Sequence, residues 1–574
     1  MSVEIIGTES KEPAKRHSGI SVLLNKYFHH IDRGGSLKSE ISSGILVFII
    51  AVCGIFLNMQ LIAKLGISGD VASSNTTQLA ANGEVYASTY FVSMLIAFLG
   101  SLMIGLIARL PLVQVSSLGL STVLISLMGI GSGLTYYNLL AISFCSSIAY
   151  AVLVSVPLVN KFVFQAIPAS VRKALPAAAG LLLVYVAMQL SGIITVGSSS
   201  ISVYGTGAEM ENVSDTASLS SLVSFGKFSY ATDKFHPLLL VSALTVLLTF
   251  VFYLIYKKSS KHPYLYSLLS GTGIFLVFSI CAVGINWHNF QFSLDSLWGR
   301  LWMIGSEDAM QYHLTNVFAN LSFGKIFSEG FNFSTYTSNG GNVVILFVAG
   351  MLTFLFMSMY DAEATLRAAS ASSNAFNADN QKDMKLALMC NAGINVLAPL
   401  FGAAPIAIGK ESYAGTQDGS KSGLASIIAS IGFAISMFAW IIPALFSTAP
   451  SYDIVFNMYG HYGTVMQLLT ECSFGIVDAI LVILGLSMIK HSMDIDWKNY
   501  SEYAPFAVTI AGTFFLSNIA YGVAIGTIAF MIIRLTLIGK PASGKNPEGI
   551  AEFGIPTAVM GVLSVIMMVL VAVL

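Results

Sequence analysis

Long apolar runs, separated by polar stretches, recur along almost the whole chain after residue 42. Most have the ~20 residues that a helix needs to cross the ~30 Å hydrocarbon core of a bilayer. The pattern therefore predicts an all-α polytopic membrane protein. The predicted spans are residues 43–63, 89–108, 118–134, 138–158, 173–193, 236–256, 264–285, 343–361, 383–402, 410–418, 423–446, 474–490, 503–519 and 521–539, with an extra apolar segment at 554–574.

The third and tenth runs are too short or too interrupted to cross a bilayer as single helices. The third follows the stretch Pro111–Ser117, and the tenth follows Ala404–Pro405. Proline removes a backbone donor and favours a helix boundary, so each run is predicted to be a short extended piece leading into a half-length helix. In membrane carriers, broken helices of this kind form the substrate site.

The interrupted run is the third in each of two sets of seven spans, which predicts a 7+7 inverted-repeat transporter fold. The basic residues before the first span predict a cytoplasmic amino terminus in the cell membrane. No cleavable signal peptide is expected. The predicted units are a cytoplasmic segment (1–42), the first repeat (43–285), an extracytoplasmic loop (286–342), the second repeat (343–540) and a carboxyl-terminal linker with an extra span (541–574).

Composition agrees with this picture. Of the 574 residues, 55% are hydrophobic and 10% are charged, whereas soluble proteins carry roughly 25% charged residues. The net charge of −1 gives no indication of a nucleic-acid partner. The sequence contains no glycine-rich phosphate loop and no nucleophile elbow, so we predict neither an enzyme nor a cofactor.

Two acidic residues within apolar runs are the strongest candidates for function. Asp361 lies in the eighth span and Glu411 at the start of the tenth. A charged side chain at the centre of a span costs roughly 2.5–3.5 kcal/mol on insertion scales, so it is rarely present without a role. We predict that both bind a polar substrate and take up protons. Lys410 is open to two interpretations, either neutralising a nearby acid or extending toward water.

Polar and aromatic residues near the helix breaks are weaker candidates. The first backbone N–H groups of a half-helix lack helical partners and could donate hydrogen bonds to a ligand. Ser121 and Ser412 lie near these ends. Tyr360 and Tyr413 are the aromatic residues closest to the acids and could stack on a planar ligand. Glu363 lies two residues beyond Asp361 and therefore faces another side of the helix.

Several motifs resemble those of the AzgA-like branch of the nucleobase–cation symporters, which is related to the xanthine/uracil permeases. They are Asp32–Ile41, Gly100–Leu112, Ala166–Leu175, Tyr503–Ala507 and Ile519–Gly526. The resemblance extends through nearly the whole chain. It implies two seven-span inverted repeats arranged as a core and a gate domain, a moving core, and dimerisation through the gate half.

The resemblance also implies that Asp361 and Glu411 bind the base and couple its movement to protons. The chain departs from the family pattern around them. Ser358 replaces an acid that usually lies three residues before Asp361, and the third span reads Ser117-Leu-Gly119-Leu-Ser121 where the family has Gly-Met-Gly-Leu-Asn. The positions that match the substrate site are therefore Gly119, Ser121, Ser358, Asp361, Glu411 and Ser412.

Three functions remain open on the sequence. The first is a proton-coupled symporter that imports a nucleobase, such as the purines hypoxanthine, guanine or adenine, by alternating access. The second is a carrier with the same fold that transports an organic or inorganic anion, favoured by Lys410 and by Ser358 in place of an acid. The third is a membrane sensor that transports nothing, and its only support is the altered site and the long outer loops.

Overall fold

The structure, a computed structural model, describes most of the helical part of the chain. The described residues are 19–65, 83–117, 119–121, 134–156, 166–190, 194–195, 224–225, 229–230, 234–235, 237–284, 323–373, 376–377, 381–437, 455–458, 461–464, 479–490, 492, 495–537 and 555–573. Most of the third span and the first residues of the predicted twelfth span (474–478) lie outside these residues.

The described chain is mainly α-helical, as the apolar pattern predicts. The helices are α1 (Gly19–Phe28), α2 (Leu37–Leu65), α3 (Gly83–Met103), α4 (Tyr136–Ser155), α5 (Ala169–Leu190), α6 (Pro237–Ser259), α7 (Pro263–Gly284), α8 (Ser334–Ser338), α9 (Val343–Ser373), α10 (Gln381–Leu400), α11 (Ser412–Gln417), α12 (Gly423–Ser436), α13 (Ala479–Lys490), α14 (Tyr500–Phe515), α15 (Ile519–Leu537) and α16 (Ile555–Val573). Within the described residues, six helices are long and apolar enough to cross a membrane. The prediction of an all-α polytopic fold is confirmed.

Two buried strands interrupt the helices where breaks are predicted. β1 (Gln114–Ser116) follows α3, and β6 (Ile406–Ile408) follows α10. They pair antiparallel, with Val115 opposite Ala407 at the centre. A proline precedes each strand, and Val115, Ile406 and Ile408 within the strands are β-branched, which favours an extended backbone. The pairing satisfies backbone groups that could not remain unpaired at membrane depth.

Helices pack against the strand pair on both sides. Apolar residues of α2, α3, α10 and α12 form one buried cluster with the strands. On the other side, α9 contacts β6 and α11, and joins a second cluster with α4, α5, α13, α15 and α16. The strands therefore lie between two packed layers of helices, with α9 at the boundary.

The two halves of the chain repeat one order of elements. In the first half α2 and α3 lead into β1, and in the second half α9 and α10 lead into β6. An antiparallel strand pair has a local twofold axis between its strands, which is the relation expected of inverted repeats. The additional carboxyl-terminal segment is a helix, α16, that packs on α9 and α15.

Short strand pairs also occur in the polar stretches. β2 (Ile194–Thr195) pairs with β3 (Ser224–Phe225), β4 (Ser229–Tyr230) with β5 (Lys234–Phe235), and β7 (Val455–Met458) with β8 (His461–Thr464). The sequence pattern did not predict these pairs, because two to four residues are too few to show an alternation of apolar and polar positions.

A glycine contact sets the distance between α5 and α13. A Cβ added at Gly180 would lie 2.5 Å from the Gly485 carbonyl oxygen, and one at Gly485 would lie 2.4 Å from the Gly180 carbonyl oxygen. We expect Gly180→Ala to force the helices apart and to cost about 1–3 kcal/mol of stability. Gly273→Ala is the matched control, because nothing lies within 4 Å of its added Cβ. Thermal unfolding in detergent measures both, and equal midpoints would contradict the prediction.

Candidate functional site

The strand pair continues into the loops on both sides. The Gly409 N–H donates to the Val113 carbonyl oxygen at 2.9 Å, and the Ser117 N–H donates to the Pro405 carbonyl oxygen at 3.4 Å. Ser412 closes the pair from the side, because its Oγ accepts from the Val113 N–H at 2.9 Å. These bonds bring Ser117, Lys410 and Glu411 together from opposite halves of the chain.

Buried amides hold the outer edges of both strands. The Asn395 side chain accepts from the Ile406 N–H at 2.8 Å and donates to the Ile406 carbonyl oxygen at 2.6 Å. On the other strand, Gln114 donates from Nε2 to the Gly100 carbonyl oxygen at 3.1 Å. Asn391 joins the two halves by donating to Gln114 Oε1 at 3.3 Å. This network fixes the backbone from which the site residues project.

Asp361 occupies the side of the site formed by α9. Its Oδ1 is 2.7 Å from Lys410 Nζ, and its Oδ2 accepts from Ser117 Oγ at 3.2 Å. The side chains of Asp361 and Lys410 are 2% and 13% exposed. Of the two interpretations of Lys410, the structure therefore supports neutralisation of a nearby acid. Both carboxylate oxygens of Asp361 have partners.

Glu411 is equally buried but differently partnered. It is 8% exposed, and its Oε2 has no hydrogen-bond partner within the described part of the chain. Gly409 and Gly54 line the carboxyl: a Cβ added at Gly409 would lie 2.6 Å from Oε2, and one at Gly54 would lie 3.3 Å from Oε1. A buried polar atom without a partner costs roughly 1–3 kcal/mol, so a ligand or a proton at this oxygen would recover that cost.

The other positions named from the sequence lie on the third span, on α9 and on α11. Ser121 is fully buried, and its Oγ has no partner among the residues that the structure describes. Gly119 faces Met357, whose Cε would lie 2.6 Å from an added Cβ. Ser358 is buried on α9, one turn before Asp361. The Ser412 hydroxyl already accepts a backbone bond, so its role here is to hold the strand.

The backbone donors of the second half-helix are not free. The N–H groups of Ser412, Tyr413 and Ala414 bond to the carbonyl oxygens of Gly409, Lys410 and Glu411. The cause is a tight turn that starts at Gly409 directly after β6. Side chains, rather than these N–H groups, therefore remain to meet a ligand.

Tyr360, Tyr413 and Glu363 take other positions. Tyr360 stacks on Phe356 at a ring distance of 5.7 Å, and Tyr413 accepts from Gln417. Both tyrosines are buried in the apolar core. Glu363 pairs with Arg367 at 2.9 Å, one turn along α9. The spacing of four residues between Glu363 and Arg367 could have indicated this pair from the sequence.

The structural amides Gln114, Asn391 and Asn395 were missed by the sequence analysis. Polar residues in apolar runs were the available signal, but amides carry no charge and attract less attention than acids. Among the described residues, no cluster of His, Cys, Asp or Glu could hold a metal ion. The region beside the strand pair thus contains one acid paired with a lysine, Asp361, and one acid, Glu411, with an oxygen that has no partner among the described residues. A group with a hydrogen-bond donor could pair with that oxygen.

No family model matches the chain. Over 524 residues it is 21% identical to the guanine/hypoxanthine permease PbuO of Bacillus subtilis, covering 91% of this chain and 95% of PbuO. It is 22% identical to the guanine/hypoxanthine permease PbuG of Bacillus subtilis over 525 residues, or 92% of this chain and 96% of PbuG. The chain is homologous to nucleobase permeases. It is a multi-pass membrane transporter rather than an enzyme.

A solved structure also matches along most of the length. The transmembrane domain of the cyanobacterial bicarbonate transporter BicA matches with a TM-score of 0.43 and 12% identity, covering 93% of this chain and 97% of that domain.

Proposed function

We propose that this transporter is a proton-coupled symporter that imports a nucleobase, with a purine as the preferred class. The observation that carries the proposal is the unpartnered Oε2 of Glu411 beside the strand pair. Purine bases offer ring N–H and amino donors on one edge, and a buried carboxyl oxygen accepts them. Asp361 and Glu411 are the candidate acids for base binding and proton coupling.

The remaining contacts are assigned by the same reasoning. The Ser121 hydroxyl can donate to a ring nitrogen or carbonyl oxygen, since it has no partner among the described residues. Gly119 and Ser358 are assigned to the wall of the site on the third and eighth spans. A hydrogen bond between neutral groups contributes about 0.5–1.5 kcal/mol, so a few of them hold a substrate that the carrier must also release.

Proton coupling supplies the driving force without a nucleotide site. One charge crossing 100 mV gains roughly 2.3 kcal/mol, and one pH unit adds roughly 1.4 kcal/mol. Together these support roughly 500-fold accumulation of a neutral base.

The anion alternative has weaker support. Lys410 suggested it, but the Lys410 cation is paired with Asp361 at 2.7 Å, and the pair carries no net charge. An anion would therefore meet Glu411 without a free cation to compensate.

Uptake by reconstituted liposomes tests the proposal. Labelled hypoxanthine, guanine or adenine should accumulate when the outside is acidic, and a protonophore should abolish the accumulation. Unlabelled purines should compete, and organic anions should not. Competition by anions alone would support the anion carrier, and uptake driven by sodium without pH dependence would contradict proton coupling.

Gly409→Ala probes the placement of Glu411. The added Cβ would lie 2.6 Å from Glu411 Oε2 and 2.9 Å from Val115 Cγ2, so the carboxyl must move. We expect affinity for hypoxanthine to fall about tenfold, since a buried polar group left without its hydrogen bond costs about 1–3 kcal/mol. Gly393→Ala is the control, because its Cβ meets only Met103 at 3.6 Å. Binding titrations compare the two variants, and equal affinities would show that this carboxyl does not contact the base.

A further inference from the structure

Lys410 places a cation inside the site. It belongs to the turn that joins β6 to α11, and its Nζ is 2.7 Å from Asp361 Oδ1 on α9. A buried charge is tolerated when it is paired and hydrogen-bonded, and breaking such a pair by removing one partner is strongly destabilising. Ser117 supplies the second bond to Asp361, at 3.2 Å on Oδ2. Each carboxylate oxygen of Asp361 therefore has a partner without substrate or proton.

Glu411 lies next to Lys410 in the chain but forms no ion pair with it. The residue is buried, and among the described residues its Oε2 has no hydrogen-bond partner. The charged groups that act on it are Lys410 in its own turn and Asp361 on α9. Gly54 of α2 lies beside Oε1 of the Glu411 carboxyl. Gly409 lies beside Oε2, and it also faces Val115 in β1 and Val113 directly before β1. The Lys410 charge is already engaged by Asp361.

The two acids therefore have different electrostatic roles. We propose that Lys410 is a tethered cation that keeps Asp361 ionised throughout the transport cycle and leaves Glu411 as the carboxyl that carries the proton. This inference rests on the proposed proton-coupled transport, and it assigns the fixed negative charge to Asp361 and the transported proton to Glu411. Lys410 is a positioning residue in this scheme, because it acts on the base through Asp361.

The balance of charge follows directly. With Glu411 protonated and a neutral base bound, Asp361, Lys410 and Glu411 sum to zero, so the loaded site crosses the membrane without net charge. After release of the base and the proton, the empty site carries the single negative charge of Glu411. One proton therefore moves with each base.

The neutral pair Asp361→Asn with Lys410→Met tests this division. It removes both charges and nearly conserves both shapes. We expect each single change to lower hypoxanthine uptake at least about 100-fold, because each leaves a buried charge unpaired. The double variant should recover to within about tenfold of the wild type, and the ratio of protons to base should stay at one. Lys410→Arg should keep uptake and the same ratio, since it retains the cation.

The contrary results are distinct. If the double variant transports hypoxanthine but its uptake no longer responds to a pH gradient, Asp361 carries the proton and the inference is wrong. If Lys410→Met alone transports normally with an unchanged pH profile, the cation has no role and the inference is also wrong. Lys385→Met is the control for loss of a lysine elsewhere, because its Nζ contacts the Ser155 carbonyl at an exposed position.

Uptake by the wild type and by Lys410→Arg distinguishes a failure of this inference from a failure of the proposed function. If the wild type takes up no nucleobase under a pH gradient, the proposed function fails, and the inference falls with it. If the double variant does not fold, Lys410→Arg still tests the inference. If Lys410→Arg keeps an intact elution profile but loses uptake about 100-fold or more, a cation at this position is not sufficient and the inference is wrong.

Discussion

Glu411→Gln should abolish pH-driven accumulation of hypoxanthine. Glutamine keeps the volume and a hydrogen-bonding group but cannot exchange a proton, so uptake should no longer concentrate the base. The ratio of internal to external base should fall from roughly 500-fold, the value that one proton supports, to about one. The rate of exchange at equal pH on both sides should fall by about tenfold or less, because a hydrogen bond to a protonated, neutral carboxyl group is replaced by one to a neutral amide.

Labelled uptake in liposomes, with and without an inward acid gradient, measures both quantities. Glu329→Gln is the matched control, because Glu329 is exposed on the short π-helix Ile326–Gly330 before α8, and this variant should retain full accumulation. If the Glu411 variant still accumulates hypoxanthine against its gradient, the proton is carried elsewhere.

Asn395→Ala should destabilise the protein by about 2–4 kcal/mol, because two buried backbone groups of Ile406 lose their partners at once. The Asn395 amide donates to the Ile406 carbonyl at 2.6 Å and accepts from its N–H at 2.8 Å. Substrate affinity should fall as well, since β6 carries the turn that holds Lys410 and Glu411. Unfolding in mixed micelles and binding titrations give the two numbers.

Asn395→Asp provides a graded comparison. An aspartate can accept from the Ile406 N–H but cannot donate to its carbonyl while ionised, so the loss should be at least as large as for alanine. Asn339→Ala, at an exposed position, should change stability by less than about 0.5 kcal/mol. A loss of stability at Asn395 no larger than at Asn339 would show that the amide does not hold the strand.

The breaks in the third and tenth spans could be predicted from the sequence, because residues at the breaks themselves determine them. Pro111 and Pro405 cannot continue a helix, and the β-branched residues that follow favour an extended backbone. Both strands lie where these residues predict them. Boundaries were less accurate: α9 continues to Ser373, past the predicted end at residue 361. Small residues after Asp361 keep the helix going, and apolar length alone does not mark its end.

Contacts between distant parts of the chain could not be predicted. Lys410 and Asp361 are 49 positions apart, and their pairing depends on how α9 lies against β6. The sequence left Lys410 open for this reason. Asn395 and Asn391 read as isolated polar residues in an apolar run until the strand beside them was visible. For Tyr360 and Tyr413 the sequence suggested too much. Both are adjacent to the acids in the chain, which suggested ligand contacts, but both side chains are packed in the core.

The pairing of Lys410 with Asp361 also bears on whether the substrate is an anion or a neutral molecule. A lysine next to Glu411 favours an anion when it is read from the sequence alone. Paired at 2.7 Å with Asp361, it adds no net positive charge to the site. Among the described candidate site residues, Glu411 Oε2 and Ser121 Oγ have no partner, and a neutral ligand with both donors and acceptors would suit them.

The most direct test of the account is a cryo-electron microscopy structure of the protein with hypoxanthine. We predict planar density beside the β1–β6 pair, with a ring N–H within hydrogen-bond distance of Glu411 Oε2, and with the Lys410–Asp361 pair intact. Density for the base elsewhere in the protein, or a site in which Lys410 has left Asp361 to bind an anion, would contradict the account.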